Sequence, residues 1–378
     1  MKIQREILTQ IQESITPGKV LILYGPRQVG KTTLVRDLIS KTTLRSKFIN
    51  ADELLYREAL GSQNRQLLGD VLGDAELLVI DEAQRIPEIG LNLKILMDSY
   101  PHAAIVATGS ASFELANKIS EPLTGRTITF NLYPVSFREI HQTFGRLEAR
   151  AQIERWLVWG SYPAVVTLDD PQKREQHLGE LIGSYLYRDI LIMDGLRRSD
   201  KIVDLLRLLA FQIGQEVSLA ELASNLSMNR QTVERYLDLL EKVFVVFKVR
   251  GFSRNLRKEL TKNSRYYFYD NGVRNSLIQN FNPLTLRNDV GQLWENFLWI
   301  ERRKVNQYAS RSVNSYFWRT YDKKEIDCIE EHGGMLYGYE LKWQSGSIRR
   351  ATHNEFIAAY PGSELATITQ ANFDEFLT

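Results

Sequence analysis

Gly25-Pro26-Arg27-Gln28-Val29-Gly30-Lys31-Thr32, followed by Thr33, spells G-x-x-x-x-G-K-T. An apolar stretch, VLILY, precedes it and an amphipathic one follows, the strand–loop–helix context that a phosphate-binding loop requires. Glycines at 25 and 30 let the backbone approach phosphate, with the loop N–H groups turned inward at a helix N-terminus. Lys31 is placed to reach the β- and γ-phosphates, and the Thr32 hydroxyl to coordinate Mg²⁺. About fifty residues on, ELLVIDEAQRIP (76–87) is an apolar strand ending in Asp81-Glu82. Asp81 is a candidate water-mediated Mg²⁺ ligand, and Glu82 a carboxylate that polarises attacking water. A third apolar strand, AAIVATGSAS (103–112), leaves Thr108 and Ser110 at its C-terminal end, where α/β sheets place ligand contacts.

A second group of chemically capable residues lies near the other end. EIDCIEEHGGMLYGYELKW (325–343) reads as strand, Gly-Gly turn, strand, with Asp327 on one arm and Glu340-x-Lys342 on the other. Period-2 geometry puts Glu340 and Lys342 on one face, Tyr339 and Leu341 on the other, and Asp327 with Glu325 and Ile329. Upstream, VGQLWENFLWIERRKV is an amphipathic helix carrying Glu295 between Trp294 and Phe297. Three carboxylates and a lysine are the types that hold one or two Mg²⁺ ions over a phosphodiester. An exposed charged hairpin shows the same alternation.

Between these groups, residues 151–194 read as helices broken by GSYP, with Arg155 and Arg188 as candidates for a second nucleotide-sensing arginine. Residues 217–250 have helix–turn–helix form, with Ser218 and Glu221 as a capping box and Val233, Tyr236, Leu237 and Leu240 turned inward. VFVVFKV and RYYFYD supply a hairpin, completing a winged helix. Its exposed candidates for DNA contact are Asn229, Arg230, Gln231 and Arg235, with Arg254, Arg257 and Lys258 on the basic link between strands. That link, 248–265, holds seven Lys or Arg and one Glu, against a net charge of only +2 for all 378 residues. A charge run of this kind also serves as a solvated face or a protein-docking surface.

No apolar run approaches the roughly 18 residues of a membrane span, and the one cysteine, Cys328, excludes an internal disulfide framework. The expected compartment is therefore the cytoplasm. DEAQ, TGS, the Gly125-Arg126 pair before the last strand of the first region, and LYPVSF together resemble the orphan AAA+ ATPases of bacteria and archaea. The resemblance continues through WGSYPAVV and YLYRDI to YFWRTYDKKEID near the C-terminus. It implies an α/β chain: an AAA+ P-loop core over 1–150, a helical lid over 151–195, a winged helix over 196–262, and a restriction-endonuclease-like domain over 263–378.

The last of these resembles the PD-(D/E)XK core that archaeal Holliday-junction resolvases also use, with Ile326 in place of the usual proline. By resemblance Thr108 is a sensor residue and Arg126 an arginine finger acting on a neighbouring subunit. The cofactors expected are ATP and Mg²⁺; the partners are DNA, branched or duplex, and further copies of the chain in a hexamer. Two alternatives stand beside a DNA-remodelling ATPase: an ATP-regulated nuclease, and a nucleotide-dependent signalling switch acting on a protein.

Overall fold

The computed structural model describes residues 3–109, 123–186, 199–253 and 264–377. Ser110, Arg188, Arg254, Arg257 and Lys258 lie outside them. The chain divides into two compact units, one of residues 4–134 with 242–244, the other of 135–241 with 245–378 and the first three residues. Among the described residues no helix is long and apolar enough to cross a membrane.

The smaller unit is built on a five-stranded, all-parallel sheet in the order β2-β3-β4-β1-β5. Its strands are β1 (Val20–Tyr24), β2 (Ser46–Asn50), β3 (Leu77–Asp81), β4 (Ala104–Gly109) and β5 (Thr127–Asn131). The three central strands are buried along their whole length, which is why they read as unbroken apolar runs. The helices are α1 (Ile7–Ser14), α2 (Lys31–Lys41), α3 (Leu54–Leu60), α4 (Arg65–Leu72) and α5 (Ile89–Ser99). Parallel registers bring the ends of β1, β3 and β4 to one edge of the sheet, and α2 starts there.

The larger unit contains a seven-stranded mixed sheet, β12-β11-β10-β9-β7-β8-β6. Its strands are β6 (Glu216–Val217), β7 (Val246–Gly251), β8 (Ser264–Phe268), β9 (Asn314–Arg319), β10 (Glu325–His332), β11 (Met335–Leu341) and β12 (Glu364–Ile368). The helices that matter below are α6 (Phe137–Phe144), α7 (Ile153–Trp159), α8 (Pro163–Thr167), α9 (Leu219–Leu226), α10 (Arg230–Lys242), α11 (Asn271–Leu277), α12 (Val290–Tyr308) and α13 (Arg350–Ala359). The helix–turn–helix and its hairpin form, but β8 pairs with β7, and β7 in turn pairs in parallel with β9. A division at 262–263 therefore falls inside one sheet. Helices α7 and α8, within the segment expected to be a separate lid, also belong to this unit.

Past β8 and α11, the chain runs α12, the meander β9-β10-β11, α13, then β12 parallel to β11. Gly333 and Gly334, both at positive φ, close the β10–β11 hairpin in two residues. A bulge between Ile326 and Ile329 breaks the expected alternation. Both isoleucines enter the core beside Phe356 of α13, so Asp327 does not share a face with Ile329.

A buried polar knot ties this unit together. Asp270 caps α11, accepting from Val273 N–H at 3.0 Å and from Ser161 N–H at 2.7 Å. Asn275 donates to the Leu157 and Val158 carbonyls of α7. The two backbones approach so closely that a Cβ at Gly272 would strike the Trp159 carbonyl, and one at Gly160 the Asp270 carboxylate. Burial pushes the Asp270 carboxyl up to about 6, against the N–H groups that favour its charge. Its folded value thus lies above its ordinary 3.8. The native state therefore binds the extra proton between these values, and stability falls as pH rises through that window. We expect unfolding free energies in urea to show wild type gaining about 2 kcal/mol relative to Asp270→Asn between pH 7 and pH 4. Parallel pH profiles for the two proteins would contradict this assignment.

Candidate functional site

At the edge where β1, β3 and β4 end, the loop 25–30 leads into α2. Gly25 has no room for a side chain, because a Cβ there would run into the Leu132 carbonyl oxygen. Gly30 sits at φ +98° in the left-handed region as the residue before α2, a conformation cheap only for glycine. Val29 is fully buried, so it offers the site only its backbone, whereas Gln28 is exposed at φ 57°. Lys31, 5% exposed, folds back to donate to the Gly25 and Pro26 carbonyls at 2.8 Å each.

The Asp81 carboxylate, 3% exposed, is the junction of this site. One oxygen accepts from the Thr32 hydroxyl at 2.7 Å, and the other accepts from the Thr108 hydroxyl. Thr108 also accepts from the Glu82 N–H at 3.2 Å. Glu82 turns the chain with φ 56°, and Gln84 donates to its carboxylate at 2.6 Å. A hydroxyl and a carboxylate are hard oxygen donors suited to Mg²⁺, and the N-terminus of the 11-residue α2 favours anions. The residues present therefore fit a magnesium–phosphate ligand. Thr33 is exposed on α2 and makes no contact that marks it out.

Arg126 lies elsewhere. It precedes β5, whose first residue pairs with Val20, so about 16 Å of strand separates it from the loop edge. Its guanidinium pairs with Asp98 at 2.5 Å. Arg155, one of the two arginines considered as a sensor, spends its guanidinium on the carbonyls of Val165, Val166 and Leu168 at the end of α8. A residue unremarked in the sequence, Arg5, donates to the Val29 carbonyl at 2.9 Å and braces the loop from behind. Nothing in the pattern singled it out among 48 basic residues. Gln84 had a visible signal, its place in DEAQ, two residues past Glu82.

In the larger unit, Glu295, Asp327 and Lys342 line one cleft of about 600 Å³ together with Glu216, Arg265 and Arg319. Glu340 sits beside it through its 2.7 Å ion pair with Lys342. Asp327, 5% exposed, accepts from the Leu341 N–H at 2.8 Å. Burial, then the charges of Glu295 and Glu340, hold it well above the usual carboxylate range. Glu295 is raised by burial too, although Arg265 and the Tyr267 hydroxyl, 2.5 Å away, pull it down. One buried oxygen of Glu340 has no hydrogen-bond partner. Even so, among the described residues no three His, Cys, Asp or Glu side chains converge closely enough to hold a metal ion. The predicted set is gathered in one place but does not form a ligand cage as it stands.

The helix–turn–helix surface is less basic than its sequence suggested. Asn229 is occupied as a cap, accepting from the Thr232 N–H and hydroxyl at 2.7 Å. Arg230, Gln231 and Arg235 are exposed on α10, but Glu234 and Asp238 are exposed among them. Ser218 accepts from the Glu221 N–H, while Glu221 turns to Gln212 instead of completing the capping box. Arg265, counted in the basic run, is 3% exposed and bound to carboxylates.

Residues 17–141 match a family profile described as an AAA domain. Residues 150–284 and 290–372 each match a profile described as a domain of unknown function. An uncharacterized protein of Mycobacterium tuberculosis is 28% identical, over 99% of this chain and 85% of that protein. One of Methanocaldococcus jannaschii is 24% identical over 78% of this chain and 68% of its own.

Among solved structures, RuvB of Thermotoga maritima overlaps 68% of this chain and 91% of its own, at 17% identity and a TM-score of 0.31. A signal transduction ATPase with numerous domains from Pyrococcus horikoshii, carrying a tetratricopeptide repeat sensor, overlaps 80% of this chain at 12% identity and a TM-score of 0.30. The match spans 45% of that ATPase. Overlaps this loose support no assignment. The N-terminal match and the parallel sheet with its phosphate-binding loop make residues 17–141 similar to an AAA domain and support an ATPase.

Replacing Asp81 with Asn keeps hydrogen bonds to the two threonines but removes the charge. We expect Asp81→Asn to bind ADP normally without Mg²⁺ and to lose most of the tightening that Mg²⁺ gives to ATP in wild type, read by calorimetry. An unchanged Mg²⁺ dependence would remove Asp81 from the metal's surroundings.

Proposed function

We propose that this chain is a Mg²⁺-dependent ATPase that works as an oligomer, a hexamer in the first instance, to remodel DNA. The observation that carries the ATPase reading is the Asp81 carboxylate held between the Thr32 and Thr108 hydroxyls beside the Lys31 loop. A magnesium ion beside Thr32 and Asp81 would offset the charge of the β- and γ-phosphates. Lys31 exchanges the Gly25 and Pro26 carbonyls for phosphate oxygens. Glu82 orients the attacking water and accepts its proton, while Gln84 fixes the carboxylate's direction. Thr108 keeps Asp81 aimed and, through the Glu82 N–H, couples the two acidic residues. The bond to the γ-phosphorus breaks, giving ADP and phosphate.

Arg126 cannot serve its own loop from the opposite edge of the sheet, which supports an action on a neighbouring copy. Its side chain is about half exposed there. DNA is the partner we favour, taken up through the Arg230–Arg235 face and the cleft of the larger unit, with branched DNA such as a Holliday junction as substrate. The helix order of the C-terminal strands supports a nuclease-like fold. Cleavage is not assigned, because the carboxylates do not converge.

We expect Lys31→Ala to lose roughly 100-fold or more of steady-state turnover, and Arg126→Ala about 1,000-fold with ATP still bound. Mixing the two inactive proteins should restore turnover, since each supplies what the other lacks. Failure of the mixture would exclude an arginine acting in trans. Four-way-junction DNA should stimulate wild type more than duplex does. Indifference to every DNA form would favour the protein-directed switch.

A further inference from the structure

Two cations hold the phosphate-binding loop. Lys31 donates to the carbonyls at its start, and Arg5, on the segment before α1, donates to the Val29 carbonyl near its end at 2.9 Å. The other terminal nitrogen of Arg5 donates to the Tyr133 carbonyl. Tyr133 follows Leu132, whose N–H continues the pairing of β5 onto the Tyr24 carbonyl at 2.7 Å. The Leu132 carbonyl in turn occupies the space that a Gly25 side chain would need. Arg5 thus ties the end of the loop to the backbone that abuts its start.

The Val29–Gly30 peptide is planar and trans, so a carbonyl turned toward Arg5 turns the Gly30 N–H the opposite way. That N–H has no acceptor among the described residues. The guanidinium lies 3.6 Å from where a Cβ on Gly30 would stand. Gln28 at φ 57° and Gly30 at φ 98° both adopt left-handed backbone, of the kind that gathers N–H groups into an anion-binding nest. For Gln28 that conformation costs about 1 kcal/mol or more and persists only where its surroundings hold it. Lys31 gives up its carbonyls when it moves to phosphate, whereas the Arg5 brace does not depend on that exchange.

We propose that Arg5 is a positioning residue of the phosphate site, its two-pronged hold aiming the Gly30 N–H at the diphosphate of the nucleotide. The inference rests on the ATPase reading of the loop. ATP and ADP share that diphosphate, so the brace strengthens the binding of both and acts on KM rather than on kcat. The fork needs a guanidinium, whose rigid plane serves two carbonyls at once. An ammonium at this position keeps the charge but not the fork. A purely structural Arg5 would, on removal, cost stability and leave the folded protein's nucleotide affinity unchanged.

Steady-state ATP hydrolysis with Mg²⁺, calorimetric ADP binding and thermal unfolding are compared for full-length wild type, Arg5→Ala and Arg5→Lys. Arg5→Ala should raise the KM for ATP and the Kd for ADP together by ~10-fold, with kcat changed less than about threefold. Arg5→Lys should weaken both by about threefold, because it can keep one carbonyl of the two. A lower melting temperature with both constants unchanged overturns the proposal, and so does a fall in kcat alone. Full rescue by lysine overturns the fork. If Arg5→Ala does not fold, Arg5→Lys carries the comparison: paired weakening supports the proposal, and wild-type constants refute it. A wild type that neither hydrolyses ATP nor binds ADP overturns the ATPase reading, and this inference with it.

Discussion

One buried carboxylate governs the ATPase unit. Asp81 sits at the end of a fully buried strand, and its two oxygens receive hydroxyls from α2 and from β4. A buried charge without partners would cost several kcal/mol, so these bonds compel the three elements to end at one edge. The parallel sheet makes that edge available, since its registers align the ends of β1, β3 and β4. Glycine at 25 and 30 then lets the loop fold back over the same edge. Lys31 completes the arrangement by occupying the loop's own carbonyls, a place from which it can move to phosphate without rearranging the strands.

The larger unit follows a different rule: many of its buried charges are paired with one another. Asp270 binds α11 to the WGSYP turn and Asn275 binds it to α7, and Glu301 with Lys304, both fully buried, close on the Phe137 N–H and the Val135 carbonyl. Arg302 grips Glu330 with two nitrogens. Such pairs fix geometry more than they add stability, because desolvation offsets most of their attraction. In the cleft the same rule applies to Arg265, which lies between Glu295 and Glu325.

The phosphate-binding loop and the two strands beside it were legible because local chemistry dictates them: glycines, a lysine and apolar runs at fixed spacing. The helix–turn–helix was legible through its inward-facing positions, such as Val233 and Leu237. What could not be read depends on distant partners. The bulge at Ile326–Ile329 answers to packing against α13, and no alternation rule anticipates it. Arg265 looked like part of a basic link until β8 was seen to pair into the C-terminal sheet. Asn229, exposed as a DNA-contact candidate must be, also uses its side chain to start a helix, a role set by the Thr232 N–H one turn on. Arg126 was correctly placed at a strand start, although only the register shows how far that start lies from the loop.

The central claim is that Lys31, Thr32 and Asp81 form the phosphate and magnesium site. A crystal structure with Mg²⁺, ADP and a γ-phosphate mimic tests it most directly. The account predicts that the Lys31 ammonium will have left the Gly25 and Pro26 carbonyls for the phosphates, with the metal beside the Thr32 hydroxyl and Asp81. A nucleotide bound elsewhere, with Lys31 still on those carbonyls, would contradict it.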